Sequence, residues 1–220
     1  MMTCDKRSFS RFSADRKRLL AAFAALILLP LTHGGAAAQS SVPVPVAASG
    51  APAASKAPVD PAAVLDGLYR RLGEARDAAG AQVAAAAIAR EWGRSGSATA
   101  SLLLGRSQVA LGHDDAPLAI ELLDRVIAVQ PEWTEARLRR GIVLAATGDD
   151  ERALSDIQAV LASDPRHYMA MEIVAGIFER RGYAEGALRM YEKALTVHPY
   201  LPGANEAIKR LRIAAEGQPA

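Results

Sequence analysis

Few side chains of this sequence could carry chemistry, and they lie in short polar segments. Beyond residue 38 the histidines are His113, His167 and His198, separated by 54 and 31 residues, and the single cysteine is Cys4. These spacings fit no metal-ligand set, and the HExxH, Gly-x-Ser-x-Gly and phosphate-loop motifs are absent from the sequence. We therefore predict that the protein is not an enzyme and takes no cofactor and no metal.

Two pairs of carboxylates form the remaining candidate for chemistry. Asp114-Asp115 and Asp149-Asp150 each stand directly before a segment with helical periodicity. Paired carboxylates can bind Ca²⁺ or act as an acid and a base. An aspartate just before a helix more often accepts hydrogen bonds from the first-turn amides. The sequence thus predicts helix N-caps at these positions.

The elements that position these residues repeat every 34 residues. Ala119, Ala153 and Ala187 stand in register, and each is followed by a large apolar residue four positions later and by a proline twelve positions later, at Pro131, Pro165 and Pro199. Small residues recur upstream at Ser107, Gly141 and Ala175. A fixed period of this length indicates stacked helical hairpins, in which neighbouring units share a core because one hairpin cannot bury its own apolar face.

The pattern resembles the tetratricopeptide repeat. The last unit is the nearest match, with pattern residues at Met171, Val174, Ala175, Phe178, Gly182, Ala187, Tyr191, Ala194 and Pro199. The first two units carry Arg106, Arg137 and Arg140 at positions where the family has apolar residues. We expect their stems to pack while their charged heads stay in water. The resemblance implies an all-α fold, a right-handed superhelical array of helical hairpins closed by a C-terminal capping helix.

The same pattern divides the chain into seven segments. They are a signal peptide at 1–38, an Ala/Pro/Ser-rich disordered linker at 39–60, a degenerate N-terminal hairpin at 61–99, repeats at 100–133, 134–167 and 168–201, and a capping helix with tail at 202–220. The degenerate hairpin has Trp92 at a small-residue position, which we interpret as a core filler. The capping helix is expected from about Ala204 to Glu216, with Ala204, Ile208 and Leu211 on its apolar stripe.

The N-terminal segment has the features of a secretory signal. Six basic residues precede the apolar run Leu19 to Leu31, and Ala36-Ala37-Ala38 offers a cleavage site before Gln39. Thirteen residues are too few for a helix that spans a bilayer, which needs roughly 20. We predict cleavage after Ala38 and a periplasmic protein without a membrane span. The alternative is an uncleaved anchor that tethers the repeats to the inner membrane.

Removing this segment changes the charge of the chain. Of its 26 basic and 24 acidic residues, six basic and two acidic lie in residues 1–38, which leaves 20 and 22. The slight negative balance gives no indication of nucleic-acid binding.

The resemblance also implies a binding surface. In the family, the first helices of successive repeats line a concave groove, and the matching positions here are Leu104, Gln108, Leu111, Glu135, Leu138, Arg139, Ile142, Met169, Glu172, Ile173, Glu179 and Arg180. The Lys, Asn and Arg set with which some members hold a peptide carboxylate is essentially absent. The alternative is that these residues are only core and solvated edge.

The function that follows is that of an interaction scaffold. We expect a monomeric or weakly self-associating protein that binds a protein or peptide segment in its groove and serves in cell-envelope assembly or maintenance. The alternative is a membrane-tethered assembly factor of the cytochrome-maturation or division type. We further expect that Leu138→Asp with Arg139→Glu leaves the fold intact.

Overall fold

The computed structural model describes residues 60–216, which form nine helices and no strand. The predicted signal peptide, the linker before Asp60 and the tail after Glu216 lie outside the described residues. The helices are α1 (Pro61–Gly73), α2 (Ala78–Trp92), α3 (Ala98–Gly112), α4 (Ala116–Val129), α5 (Thr134–Thr147), α6 (Asp150–Ser163), α7 (Tyr168–Arg180), α8 (Ala184–Val197) and α9 (Ala204–Glu216). The all-α hairpin array is confirmed.

Three hairpins, α3–α4, α5–α6 and α7–α8, form the repeats, and small residues set their helix spacing. Ala119, Ala153 and Ala187 are fully buried. At Gly141 the approach is closest, because a Cβ atom there would lie 2.8 Å from the Cδ1 atom of Ile157 on the facing helix. The small residues that recur every 34 positions therefore lie where the two helices of a hairpin contact each other.

The turn inside each hairpin repeats with the same period. Gly148 and Gly182 have φ angles of 91° and 78°, and Asp114, the residue in register with them, has a φ of 57°. In each unit the amide of the next residue donates to a carbonyl five residues back, as from Asp149 to Leu144. This is the helix ending that needs a left-handed residue. The first repeat achieves it with an aspartate, although its own Gly112 lies two positions earlier.

The aspartates in these turns cap helices as predicted. The carboxylates of Asp115 and Asp149 accept hydrogen bonds from the Leu118 and Arg152 amides at 3.1 and 3.2 Å. Asp150 has a different role, since its carboxylate pairs with Arg180 at 2.7 Å and with Arg181 at 3.0 Å. Asp150 thus links the turn of the second repeat to that of the third.

The expectation that the repeat arginines keep their heads in water is wrong for Arg140. Its guanidinium donates two hydrogen bonds to Asp156, at 2.6 and 2.7 Å, and one to Asp124 at 2.6 Å. Asp156 is buried, and Arg137 lies 3.9 Å from the same carboxylate. A buried carboxylate requires a paired cation, so the arginines at these positions join α4, α5 and α6. Arg106 in the first repeat is exposed.

The last repeat is covered by α9. Ala204, Ala207, Ile208 and Leu211 are buried against α8. Arg210 pairs with Glu179 at 2.7 Å, which ties the capping helix to α7 as well. The helix lies where the sequence predicted it.

The N-terminal hairpin α1–α2 does not stack on the first repeat in the way that the repeats stack on one another. Within residues 60–216, α2 makes no extended contact with α3 or α4, whereas α1 packs on α8 in the last repeat. The repeat register predicts a further unit here at the start of the array, and the structure differs from this prediction. We call the hairpin α1–α2 the strap.

The strap contacts the turns that connect successive repeats. The Tyr69 hydroxyl donates to Asp164 at 2.5 Å, and the Trp92 ring stacks on His167 with centroids 3.7 Å apart. The indole NH of Trp133 donates to the carbonyl oxygen of Trp92 at 2.8 Å.

Further along, the Tyr200 hydroxyl donates to the Arg76 carbonyl at 2.8 Å. Trp133, His167 and Tyr200 follow the three repeat prolines at equivalent positions or one residue away. The strap therefore crosses the two turns between repeats and the turn between the last repeat and α9.

The contrast between two helical glycines tests the packing inside the hairpins. Gly141→Ala should be at least about 1 kcal/mol less stable than Gly105→Ala, because both gain helix propensity but only Gly141 faces another helix. Urea melts of the two variants measure the difference. Equal stabilisation by both would show that α5 and α6 do not approach as described.

Candidate binding surface

The predicted groove residues lie on the first helix of each repeat. Leu104, Gln108 and Leu111 are on α3, the next four are on α5 and the last five are on α7. Helices α5 and α7 lie side by side, and Arg180 on α7 donates to the carbonyl of Ala145 on α5 at 3.2 Å. The structure thus brings the members on α5 and α7 together, whereas α3 packs mainly on α4.

Burial separates the predicted residues into two groups. Leu104, Leu138, Ile173 and Glu135 are buried, and Leu138 is only 1 % exposed. Gln108, Leu111, Arg139, Ile142, Met169, Glu172 and Glu179 are partly exposed, and Arg180 is exposed. The buried members hold the first helices together, and the partly exposed members form the surface that another molecule can reach.

The burial of Leu138 contradicts one expectation from the sequence. A carboxylate introduced at this site would have no water and no counter-charge, so Leu138→Asp must cost several kcal/mol. Arg139→Glu would also remove the cation that pairs with buried Glu135 at 2.6 Å. The double variant would unfold the protein rather than test binding.

Most charged members of this surface already have partners inside the protein. Arg139 donates to Glu135, Arg180 pairs with Asp150, and Glu179 accepts from Arg210. Burial raises the pKa of Glu135, and the Arg139 charge opposes this rise. The free lining is therefore mainly apolar, with Ile142 and Met169 on α5 and α7, and Leu111 together with the amide of Gln108 on α3.

Glu172 is the exception among these charges. It lies on α7 next to Ile173 and makes no hydrogen bond or ion pair within residues 60–216. Burial raises the pKa of its carboxyl to about 7. Near neutral pH this group therefore exists partly as the neutral acid, which can donate a hydrogen bond as well as accept one.

The cluster of residues that holds the strap was not predicted from the sequence. Tyr69, Trp92, Asp164, Arg166 and His167 converge at the turn before α7, where the Arg166 guanidinium lies 4.3 Å from the centroid of the Tyr69 ring and pairs with Asp66 at 2.8 Å. Trp92 at a small-residue position was the available signal, since a side chain too large for a hairpin core must pack elsewhere.

His167 combines two roles in this cluster. Its Nδ1 atom accepts from the Ala170 amide at 3.3 Å and caps α7, while its ring stacks on Trp92. Burial lowers the pKa of His167 to about 4, against a smaller opposing effect of Asp164. The imidazole is neutral at physiological pH, as its acceptor role requires.

The part of the chain from 60 to 216 contains no group of three or more His, Cys, Asp or Glu residues that could hold a metal ion.

Stacked helical hairpins with a lining of this kind define an α-solenoid repeat protein. The chain belongs to the tetratricopeptide repeat (TPR) family. It is 33% identical over 147 residues to a TPR repeat-containing protein of Rhizobium etli, a match that covers 67% of this chain and 72% of that protein. A shorter match, 36% identical over 93 residues, covers 40% of this chain and 26% of the rat FK506-binding protein-like protein. No family model matches the chain.

Solved structures show the same fold. The first TPR domain of Spaghetti (RPAP3), bound to an HSP90 peptide, superposes with a TM-score of 0.51 at 16% identity, covering 54% of this chain and 94% of that domain. The Sgt2 TPR domain of Aspergillus fumigatus gives a TM-score of 0.51 at 17% identity, covering 56% and 87%.

The shifted pKa values of His167 and Glu172 predict opposing effects of pH on stability. The lowered pKa of His167 means that the unfolded chain binds its proton better, so stability falls as the pH drops from 6.5 towards 4. The raised pKa of Glu172 acts in the opposite sense, and stability falls as the pH rises from 4.5 towards 7. The two effects oppose each other between pH 4.5 and 6.5.

Removing the carboxyl of Glu172 should leave the effect of the other groups. In Glu172→Gln the slope of the unfolding free energy against pH between 4.5 and 6.5 should be more positive than in the wild type, by up to about 1.4 kcal/mol per pH unit. Urea melts at several pH values measure this slope, with the exposed Glu151→Gln as control. Parallel slopes for wild type and Glu172→Gln would mean that Glu172 ionises as in water.

Proposed function

We propose that this protein is a scaffold that binds a protein or peptide segment on the surface formed by its first helices. The observation that carries the proposal is the direct contact between α5 and α7, which places partly exposed Ile142 and Met169 on neighbouring helices of two repeats. An apolar strip that continues across repeats suits an extended or helical segment, with buried Leu138 and Ile173 as a rigid floor.

The chemistry of the lining favours a mainly apolar ligand. The Spaghetti TPR domain was solved with the HSP90 peptide SRMEEVD, which is acidic at its end. Here the positions for a carboxylate clamp hold Leu104, Gln108, Arg139, Met169 and Ile173, and the one arginine among them is engaged by Glu135. We infer that the partner presents apolar side chains and that Gln108 and Glu172 supply its polar contacts.

Partly exposed residues allow a test that spares the fold. Ile142→Gln with Met169→Gln should weaken capture of the partner at least tenfold, about 1.4 kcal/mol, because both changes remove apolar lining. The partner is first identified by mild cross-linking in the source bacterium and mass spectrometry of the captured chains, and its affinity for each variant is then measured by calorimetry.

The matched control for this test lies on a second helix. Ile120→Gln changes a partly exposed isoleucine on α4 in the same way, and Glu121→Arg with Arg125→Glu reverses an exposed ion pair of 2.5 Å. Both controls should bind as the wild type does. Normal binding by the groove variant together with weakened binding by Ile120→Gln would move the binding face to the second helices.

The place of action belongs to the same proposal. We infer that the chain is exported, cleaved after Ala38 and released into the periplasm of a Gram-negative bacterium, where it serves envelope assembly or maintenance. The basic start, the short apolar run and the Ala-x-Ala site support this inference. Among the helices of residues 60–216, none has the length and apolar character needed to cross a bilayer.

The cleavage step has its own test. The intact mass of the protein recovered from the periplasmic fraction should correspond to a chain that begins at Gln39. Full-length chain in the membrane fraction, resistant to carbonate extraction, would instead establish the tethered form.

A further inference from the structure

The two ends of the repeat array differ in how they are covered. Helix α9 covers the last repeat, whereas the strap lies across the connecting turns and leaves the outer side of the first repeat open within the described residues. On this side Val109 is 61 % exposed and Leu118 is 42 % exposed. In the rest of the array, the corresponding sides of the hairpins are packed against a neighbouring repeat.

The open side forms a shallow apolar groove between α3 and α4 with a volume of about 440 Å³. Leu102, Arg106 and Val109 follow one another at helical spacing on α3, and His113 directly follows this helix. Asp115, which caps α4, and Leu118 in the first turn of α4 line the groove opposite Arg106 and Val109. We call this surface the end face. It is an apolar strip with the cation of Arg106 on one side of Val109 and the carboxylate of Asp115 on the other side.

We propose that the end face docks against the end face of a second copy, with the two α3 helices antiparallel about a two-fold axis near Val109. Val109 lies midway between Arg106 and His113 along the chain. A two-fold axis at Val109 therefore places Arg106 of each copy near the end of the groove at which the other copy has Asp115. Arg106 makes no ion pair within residues 60–216. The carboxylate of Asp115 accepts the hydrogen bond from the Leu118 amide through its Oδ1 atom. Charges and apolar residues of this one surface are therefore complementary to themselves, as a two-fold interface requires.

The arrangement of charge disfavours a head-to-tail stack. The outer side of α9 exposes Ile213, which could offer an apolar contact. Of the basic residues on this helix, Arg210 pairs with Glu179 and Arg212 with Glu192, and a head-to-tail stack would bring the remaining cation, Lys209, towards Arg106. Such a stack would also leave an open face on every added copy, whereas the two-fold pair closes on itself.

The proposal predicts a weak dimer in solution. The nine helices of residues 60–216 all lie within the chain of residues 39–220, so this chain contains the whole repeat array. Sedimentation equilibrium of this chain should show a monomer–dimer equilibrium, and Val109→Lys should raise the dissociation constant at least about tenfold. Arg106→Asp, which sets two carboxylates against each other, should act in the same direction.

Two controls match these variants. Val83→Lys changes a valine that is 62 % exposed on α2, and Ile213→Lys changes the exposed isoleucine of α9. Both should dimerise as the wild type does, and circular dichroism melts should show that every variant keeps its fold. A wild type that stays monomeric over the whole concentration range would overturn the proposal, as would a dimer that tolerates Val109→Lys. Loss of association in Ile213→Lys would establish the head-to-tail stack instead.

A cysteine at the proposed axis tests the arrangement itself. The only cysteine of the sequence is Cys4, so the chain of residues 39–220 has none. Val109→Cys should form a disulfide-linked dimer under mild oxidation, because the axis brings the two thiols together, and Val83→Cys should not. A dimer that forms without a Val109→Cys cross-link would contradict the antiparallel pairing of α3.

Discussion

The close approach of the two helices in each hairpin is the constraint on which the rest of this structure depends. Ala119, Ala153 and Ala187 have no exposed surface, and Gly141 lacks even the room for a methyl group. Because side chains this small let the helices nearly touch, the larger residues must project outwards to meet the next hairpin. The connecting turns then fall on one edge of the array, and α5 and α7 lie next to each other. The strap and the binding surface both depend on this arrangement.

The sequence could predict the contacts that recur with the repeat, but not those between residues that are far apart in the chain. The 34-residue register reports which side of each helix is apolar, and it predicted the repeat helices, the N-caps at Asp115 and Asp149 and the position of α9. It could not report which surface the alanine-rich α2 covers, since a run of small residues fits many neighbours. The position of the strap depends instead on single contacts such as Tyr69 with Asp164, which lie 95 residues apart and follow no period.

The position of the candidate binding surface stays a prediction from the family resemblance, and its burial and charge pairing could not be predicted from the sequence. The resemblance to the family indicated the helix faces, yet it could not show that Leu138 is sealed from water or that Arg139 is already paired with Glu135. Both facts depend on how tightly α5 packs with its neighbours, which a pattern of residue types does not contain. Arg140 shows the same limit, because its burial beside Asp156 follows from charges on three different helices.

The strap also has a consequence for how the chain acquires its structure. Repeat arrays usually form from neighbouring contacts, so each unit can fold as soon as its neighbour exists. Here the bond from Tyr200 to the Arg76 carbonyl spans 124 residues. Helices α1 and α2 therefore lack part of their docking surface until the turn after the last repeat has formed, and they close the array only after that.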